Sequence, residues 1–162
     1  MKKAQKSLRA KTVKESQITL HHLVTPNDLN FRGHLFGGVM LKLIDLAAFV
    51  CARKHSGSYC VTASFDKVTF KDMIEMGELI SLHASVNFVG HSSLDIGVRV
   101  TAENFDRNII RHTHTSYVTM VAVDKNNKPI RVPALIPETP EEKRRHENGK
   151  KRYESRKQKK SA

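Results

Sequence analysis

A single carboxylate within an apolar segment is the feature of this sequence that most directly suggests chemistry. Asp45 lies in LKLIDLAAFV, where all of its close neighbours except Lys42 are apolar. Burying a charged carboxylate costs free energy unless a partner compensates its charge. Two interpretations are open: an ion pair with Lys42, one helical turn earlier, or a carboxylate in a dry cleft that acts as a general base or nucleophile.

The loop that precedes Asp45 adds groups able to bind a polar substrate. Gly37–Gly38 come directly before the apolar segment, and glycine allows a ligand to approach the backbone closely. If a helix begins there, its first N–H groups lack intrahelical partners and suit an anion or a developing oxyanion. The glycine pair is also compatible with a simple tight turn. Asn30 supplies a neutral amide upstream, with an Asx turn as its alternative role.

One buried helix is predicted to carry Asp45. Residues 38–54 have the length of a helix and almost no polar interruption, and Arg53, Lys54 and then Gly57 mark its end. Since Asp45 lies seven residues after Gly38, roughly 10 Å of helix separates it from the first amides. A substrate group held at those amides is therefore out of reach of Asp45 in the same chain. This separation predicts an active site shared between two subunits.

Alternating patterns predict an antiparallel sheet around this helix. A loosely alternating strand is predicted at 13–24, before the helix, and a parity switch near Asp66–Lys67 indicates a bulge in the strand that follows it. The strands after the helix are predicted at 59–71, 79–89, 94–103 and 109–124. Short loops join these four strands, so the four are predicted to run antiparallel, and the fold class is α+β.

The net charge of +12 is concentrated at the two ends of the chain. Residues 1–14 carry six basic side chains and residues 141–160 carry ten against four glutamates, whereas residues 15–140 are neutral overall. Three interpretations of this charge stay open: solvated tails, tails that attract a polyanionic small molecule, and a direct nucleic-acid function. A nucleic-acid-binding protein, however, usually carries its basic residues on the folded surface.

These observations predict three parts of the chain. They are a basic tail at 1–12, one domain at 13–137, and a basic helix and tail at 138–162. Thr139 and Pro140 favour a helix start, Asn148–Gly149 are predicted to break that helix, and the last dozen residues are predicted to be disordered.

The segment LVTPNDLNFRGHLFGGVMLKLIDLAA resembles the hotdog acyl-CoA thioesterases of the cytosolic acyl-CoA hydrolase type. It carries a P-x-D-x-N stretch, then G-x-x-F-G-G, then an apolar helix with one aspartate. The similarity continues in VTASFDKVTF at 61–70, GHSSLDIGVRV at 90–100 and TMVAVDKNNKPIRVP at 119–133, and covers residues 15–145. Phe31, Arg32 and His34 are bulkier or more charged than this family's pattern, which bears on substrate choice.

The resemblance implies a hotdog fold, in which a long antiparallel sheet wraps around one central helix, and an activity that hydrolyses fatty acyl-CoA to free CoA and fatty acid. It implies that chains pair sheet to sheet into dimers with shared active sites, and that three dimers form a hexamer. No metal and no cofactor are expected, with coenzyme A present only as part of substrate and product. No apolar run reaches 18 residues, and the two cysteines fit a reducing compartment, so a cytoplasmic location away from membranes is expected.

The resemblance also implies roles for individual residues. Asp45 acts as general base or nucleophile, Asn30 positions the thioester or the attacking water, and the backbone N–H groups near Gly37 and Gly38 hold the thioester oxygen. The residues expected at the CoA moiety are Thr62 and Ser64 at the pantetheine channel and Gly90, His91, Ser92 and Ser93 along the CoA arm.

Two other functions stay open at this point. A hydroxyacyl thioester dehydratase on the same fold requires a histidine with an acid, for which His34 is the candidate; the second is a non-enzymatic binding module with basic tails. Metal binding is disfavoured, since the pairs His21–His22 and His112/His114 have no cysteine or carboxylate at ligand spacing. The sequence contains no G-x-S-x-G motif and no phosphate-binding glycine loop.

Overall fold

The computed structural model describes residues 8–66, 68–70 and 72–161. The strands are β1 (Lys11–Thr12), β2 (Ile18–Leu23), β3 (Tyr59–Phe65), β4 (Leu79–Val89), β5 (Ser93–Asn104), β6 (Ile109–Val123) and β7 (Leu135–Ile136). The helices are α1 (Val13–Ser16), α2 (Gly37–Ser56) and α3 (Pro140–Ser161), with a 3₁₀ turn at Pro26–Asp28. Within these described residues, no helix has both the length and the apolar character needed to cross a bilayer.

Five antiparallel strands in the order β2-β4-β5-β6-β3 form the main sheet, and α2 packs against its concave face. This confirms the predicted α+β fold class. Strand β3 comes directly after α2 in the chain but lies at the far edge of the sheet, beside β6. β1 and β7 form a separate parallel pair. One edge of the main sheet is thus β3, which follows the helix that carries Asp45.

The two faces of the sheet follow the alternation in the sequence. Most side chains that point toward α2 are apolar and fully buried, among them Ile80, Leu82, Val98 and Val100. Burying each such side chain contributes about 1.5–3 kcal/mol relative to leaving it exposed. The residues between them, which include Ser81, His83 and Arg99, point to the opposite, convex face of the sheet.

Helix α2 extends the predicted range by one residue at its start and two at its end. It ends where Gly57 adopts a left-handed conformation with φ of 70°, which a residue without a Cβ adopts without strain. Its buried residues include Met40, Ile44 and Ala47. Asp45 therefore sits on the helix that forms the centre of the core.

Two predicted strands are shorter than expected. The strand predicted at 13–24 is interrupted by α1, because Thr12 and Glu15 form a capping box that favours a helical turn there. The strand predicted at 59–71 ends at Phe65, and its register shifts between Thr62 and Ser64 rather than at Asp66–Lys67. Lys67 itself lies outside the described residues.

The predicted break in the last helix and the disorder after it are wrong. Helix α3 runs through Asn148–Gly149 to Ser161. Gly149 is buried against the sheet, where an added Cβ would lie 2.8 Å from Phe88 Cβ, so the missing side chain allows close packing. The glycine therefore serves tertiary contact instead of ending the helix. Residues 1–7 of the predicted N-terminal tail lie outside the described residues, and the predicted division of the chain into three parts stays a prediction.

Candidate functional site

Asp45 is half-buried on α2 and is held by a side chain from β3. Its Oδ1 accepts a hydrogen bond of 2.5 Å from Thr62 Oγ1. Between the described residues Asp45 and Lys42 there is no ion pair, so the first interpretation of this carboxylate is wrong.

The contact between Asp45 and Thr62 joins three elements of the fold. Thr62 lies on β3, opposite Met120 of β6, and its hydroxyl oxygen is also 3.4 Å from Met120 Sδ. The register shift between Thr62 and Ser64 follows directly after this contact. A bulge of this kind re-aims side chains at the edge of a sheet. The carboxylate therefore has a defined orientation, and its second oxygen is available to a substrate or a water molecule.

Asn30 shapes the loop before α2. Its Oδ1 accepts hydrogen bonds from the backbone N–H of Arg32 at 2.9 Å and of His34 at 3.2 Å, and Gly33 has a φ of +79°. This is the Asx turn that the sequence left open for Asn30. Because the amide oxygen bonds the loop, the Nδ2 group of this exposed side chain is the donor that can bind a thioester oxygen or a water molecule.

Asp28 fixes the other end of this loop. Its carboxylate accepts hydrogen bonds of 2.8 Å from both the backbone N–H and the hydroxyl of Thr25, and lies 3.0 Å from His22 Nε2. Burial of Asp28 disfavours its charge, but these hydrogen bonds outweigh burial and hold its pKa below the usual value. The Asp28 carbonyl in turn accepts from Phe36 N at 2.8 Å, directly before α2 begins.

The start of α2 presents free backbone amides, as the Gly37–Gly38 pair predicted. The first intrahelical hydrogen bonds come from Val39 and Met40, whose N–H groups both donate to the Phe36 carbonyl. The preceding amides of Gly37 and Gly38 belong to the part of a helix without internal partners. A Cβ on Gly38 would lie 2.6 Å from the Phe36 ring, so glycine is required for this ring position.

Asp45 and the helix start are separate within one chain. Asp45 lies eight residues after Gly37 on a continuous helix. At a rise of 1.5 Å per residue, this is about 12 Å along the helix axis. One chain thus contains two separated groups of residues: Asp45 with Thr62, and the Gly37–Gly38 amides with Asn30.

The turn at 90–93 lies level with Thr62 across the sheet. Ser93 pairs with Val121 of β6, which pairs with Val61 of β3 on its other side. At a strand spacing of about 4.8 Å, the turn is about 10 Å from β3. The carbonyls of His91 and Ser92 accept from Val132 and Ala122. Ser64 lies on β3 next to the bulge and is half-buried.

Sequence reasoning considered His114 only as a metal ligand and did not consider Ser116, although both residues lie on the concave face of the sheet. His114 Nε2 and Ser116 Oγ are buried and, among the described residues, have no hydrogen-bond partner. They share a strand face with Met120, which contacts Thr62, and the His114 ring packs edge-on against Phe70 at 5.5 Å between centroids. Burial lowers the pKa of His114, which favours the neutral ring. The sequence did indicate this orientation, because both residues alternate in phase with the apolar residues of β6 that face α2.

His112 and His114 do not form the pair that sequence alternation suggested. Val100 pairs with His114 while the next residue, Thr101, pairs with His112, so a bulge at Thr113 puts the two rings on opposite faces. His112 is exposed and bonds Thr115. Within the described part of the chain, no three histidine, cysteine, aspartate or glutamate residues lie close enough together to hold a metal ion.

Comparison with known proteins identifies a family and several relatives. The model of the Thioesterase superfamily matches residues 32–106. Protein VdlD of Helicobacter pylori is 39% identical over 145 residues, which cover 90% of this chain and 83% of VdlD. The uncharacterized acyl-CoA thioester hydrolase YkhA of Bacillus subtilis is 37% identical over 91% of this chain and 86% of its own. The cytosolic acyl coenzyme A thioester hydrolase of Rattus norvegicus is 40% identical, and the match covers 88% of this chain and 38% of that relative.

Solved structures share the whole fold. An apo-hexameric acyl-CoA thioesterase matches with a TM-score of 0.89 and 39% identity, over 94% of this chain and 97% of its own. An acyl-CoA hydrolase from Staphylococcus aureus, in complex with butyryl coenzyme A and coenzyme A, matches with a TM-score of 0.85 and 34% identity. The match covers 93% of this chain and 92% of that enzyme's chain. Further structures of the latter enzyme carry alanine in place of an asparagine, an aspartate or a threonine. The spacing of those three positions along the chain equals that of Asn30, Asp45 and Thr62.

Proposed function

The chain belongs to the thioesterase superfamily and, within it, to the acyl-CoA thioester hydrolases, and we propose that it hydrolyses fatty acyl-CoA to free CoA and a fatty acid. The observation that carries this proposal is the hydrogen bond from Thr62 to Asp45, which orients a carboxylate on the central helix. The matching spacing of the three residues substituted in the Staphylococcus aureus enzyme supports the same assignment.

The residues of the site suit the chemistry of thioester hydrolysis. Water attacks the thioester carbonyl carbon, and the Asp45 carboxylate accepts the proton of that water as general base. The resulting oxyanion is stabilised by the amides of Gly37 and Gly38 and by Asn30 Nδ2. The carbon–sulfur bond then breaks, and the CoA sulfur leaves and takes up a proton. A direct attack by Asp45, through a mixed anhydride that water cleaves, uses the same groups.

The proposed active site is shared between two subunits. About 12 Å of helix separates Asp45 from the amides in one chain, so a two-fold partner has to supply one of the two groups. Strand β3 is an open sheet edge, and Tyr59, Val61 and Phe65 on it are exposed apolar side chains, which is typical of a surface that pairs with another chain. Two chains that pair along β3 would bring both copies of Thr62 close to the two-fold axis. A trimer of such dimers agrees with the hexameric relative.

The CoA moiety is proposed to lie along the line from β3 to the turn at 90–93. Ser64 and the Thr62 backbone border the pantetheine channel, while the Thr62 hydroxyl orients Asp45. Gly90, His91, Ser92 and Ser93 contact the CoA arm, and the side chain of His91 is exposed at that turn. The reaction is proposed to use no metal and no cofactor, and to take place in the cytoplasm.

The alternative dehydratase activity has less support. It requires a histidine next to an acid, and no ion pair links His34 to a carboxylate in the described part of the chain. Asp72, Glu75 and Glu78 line the same cavity as His34, and Glu75 pairs with His34 through a backbone bridge. Glu78 accepts two hydrogen bonds from Arg111, at 2.6 and 2.8 Å. That carboxylate is therefore engaged in a buried ion pair.

CoA release, followed with Ellman's reagent over a series of acyl-CoA substrates up to palmitoyl-CoA, tests the proposed function. We expect thiol release from at least one chain length. Hydration of an enoyl-CoA without thiol release would favour the dehydratase, and binding of acyl-CoA with no turnover would favour a binding module. Either result would end the thioesterase proposal.

A further inference from the structure

A second cavity lies on the convex face of the sheet, between the sheet and α3. It has a volume of about 480 Å³ and is lined by side chains of β2, β4, β5 and β6 and by one face of α3. Small-molecule sites in proteins typically enclose about 300–1,000 Å³. The size of this convex-face cavity is therefore that of a ligand site.

The sheet separates the convex-face cavity from the proposed thioesterase site. Arg99 and Tyr117 line the cavity, whereas the neighbouring Val98, Val100 and Val118 are buried on the concave side with α2. Successive side chains of a strand point to opposite faces. A molecule in this cavity consequently cannot reach Asp45 of the same chain.

The charge of the lining is strongly positive. Of the described residues that line the cavity, four are arginines, namely Arg99, Arg144, Arg145 and Arg152, and one, Glu141, carries a carboxylate. Burial and then the positive charge of Arg99 lower the pKa of His83, another lining residue, which agrees with a positive potential at the cavity wall. A pocket of this kind attracts anions.

Ion pairs compensate only part of this charge. Glu141 bonds both Arg144 and Arg145, at 2.7 and 2.9 Å. Arg152 donates two hydrogen bonds to buried Asp95, at 3.1 and 2.7 Å, and stacks 3.7 Å above the Tyr117 ring. These two carboxylates balance two of the four lining arginines. The cavity wall thus keeps an excess of two positive charges.

We propose that the convex-face cavity binds a small polyanion that carries phosphate groups. The planar guanidinium group presents two parallel N–H donors that match phosphate oxygens, and several arginines on two facing walls bind a multiply charged group better than a single carboxylate. Arg152 is already held in place by Asp95 and Tyr117, so ordering its side chain adds little entropic cost on binding. Thr115 and Asn148 supply neutral donors beside the arginines. This site goes beyond the proposed thioesterase activity and does not depend on it.

Isothermal titration of the full chain with inorganic pyrophosphate tests the site directly. We expect saturable binding that weakens as salt is added. Arg99→Gln and Arg145→Gln should each weaken binding by about ten-fold or more, the effect expected for losing a charged hydrogen bond. Arg53→Gln is the matched control, because Arg53 is exposed near the end of α2, on the other side of the sheet, and this variant should bind as wild type does. Asp45→Asn should also keep full binding, which separates this result from the fate of the thioesterase proposal.

Three outcomes would overturn the proposal: no saturable pyrophosphate binding at low salt, an equal loss in the Arg53 control, or a changed oligomer mass for the Arg99 and Arg145 variants. The last outcome would mean that the cavity is an interface between subunits. If pyrophosphate binds, a titration with CoA identifies the source of the phosphates. A loss of one bound CoA per chain in Arg99→Gln relative to wild type would make CoA itself the ligand, and equal CoA binding by both proteins would indicate a different phosphorylated molecule.

Discussion

Asp45 is oriented by one hydroxyl group that comes from another element of the fold. The sequence left its role open between an ion pair and a reactive carboxylate. Among the described residues Asp45 forms no ion pair with Lys42, and Thr62 bonds its carboxylate instead. Asn30 shows a different outcome, because its oxygen forms the Asx turn and its amide nitrogen stays available. For both residues, the hydrogen bonds within the fold determine which side-chain atoms stay available to a substrate.

Replacing Asp45 tests its catalytic role. Asp45→Asn is nearly isosteric, and Thr62 can still bond the amide oxygen, so the fold should be retained. Loss of the general base or nucleophile should lower kcat by roughly 10²–10⁴. Lys42→Gln, one turn earlier on an exposed position, should leave kcat near the wild-type value. A variant with altered stability but normal kcat would show that Asp45 is structural.

The Thr62 hydroxyl is predicted to position Asp45. Thr62→Val keeps the shape but removes the donor, and a hydrogen bond to a charged group contributes about 1.5–3 kcal/mol. If that contribution is lost in the transition state, kcat falls about 10- to 100-fold, with KM changed less. Thr62→Ser keeps the hydroxyl and should restore most of the rate. Equal rates for the valine and serine variants would contradict a positioning role.

Polar contacts and one glycine join the helices to the sheet in addition to the apolar core around α2. Helix α3 reaches the sheet through Gly149 and through Arg152 and Arg156, which pair with Asp95 and Asp66. Breaking a buried ion pair by removing one partner costs several kcal/mol, because the other charge stays buried. At the C-terminal end of α2, His55 has the equivalent role of joining the helix to other segments.

Gly149 is predicted to be required by packing, although it sits inside a helix. Alanine is favoured over glycine in a helix by about 1 kcal/mol. At this position, however, its Cβ would lie 2.8 Å from Phe88 Cβ and 3.2 Å from Asp95 Oδ2. Overpacking of this kind costs about 1–3 kcal/mol, so Gly149→Ala should lower the free energy of unfolding in urea. Lys150→Ala, at the next and exposed position, should be nearly neutral; equal effects would refute the packing argument.

His55 is predicted to make stability fall in acid. The ring is fully buried, its Nε2 donates to the Pro133 carbonyl at 3.1 Å, and its Nδ1 lies 3.2 Å from Ser16 Oγ. Burial lowers the pKa of His55 below its usual 6.5, despite the bond to Pro133. The unfolded chain therefore binds this proton first, and the stability contributed by neutral His55 is complete above about pH 6.5 and is lost as the pH falls below it.

Urea unfolding between pH 7.5 and pH 5 measures this effect. Each such histidine contributes a slope of up to about 1.4 kcal/mol per pH unit within its window. Because burial also lowers the pKa values of His83 and His114, the comparison has to be made between wild type and His55→Asn. The variant should be less stable at neutral pH and show a smaller acid slope. An unchanged slope would assign the pH dependence to the other histidines.

At the scale of the whole molecule, one chain keeps apart the two groups of residues that the proposed site requires. Asp45 with Thr62 and the amides of Gly37–Gly38 with Asn30 are separated along α2, and β3 leaves an apolar edge of the sheet exposed. The separation follows from helix geometry alone, so a working site in one subunit would need a large rearrangement of the core. Assembly through a two-fold axis removes that requirement.

Mixed dimers test the shared site. Asn30→Ala and Asp45→Asn should each be inactive alone. In a dimer that contains one of each, a shared arrangement gives one site with both residues intact and one site with neither. Random pairing makes about half of the dimers mixed, so activity should recover to roughly a quarter of wild type. No recovery in a sample that mass spectrometry shows to contain mixed dimers would place both residues of a site in one chain.

The local pattern of the sequence was sufficient to predict the main elements and to select candidate residues for the site. Strands β4, β5 and β6 and helix α2 were predicted nearly to the residue, because alternation and an unbroken apolar run are properties of consecutive residues. The same holds for Asp45 and for Gly37–Gly38, whose places on one helix follow from counting along it. The loop pattern also indicated Asn30, and the family resemblance added Thr62, Ser64 and the turn at 90–93. The catalytic and binding roles of all these residues stay predictions.

The tertiary structure decided what depends on residues far apart in the chain. Thr62 bonds Asp45 across 17 positions, and Gly149 continues a helix because Phe88 and Asp95 lie beneath it. The bulge at Thr113 separates His112 from His114, although strict alternation puts them together. The convex-face cavity likewise exists only because α3 folds back over the sheet. These features depend on hydrogen bonds, steric contacts and strand register between segments that are distant in the chain. Local sequence patterns do not show which distant segments come into contact.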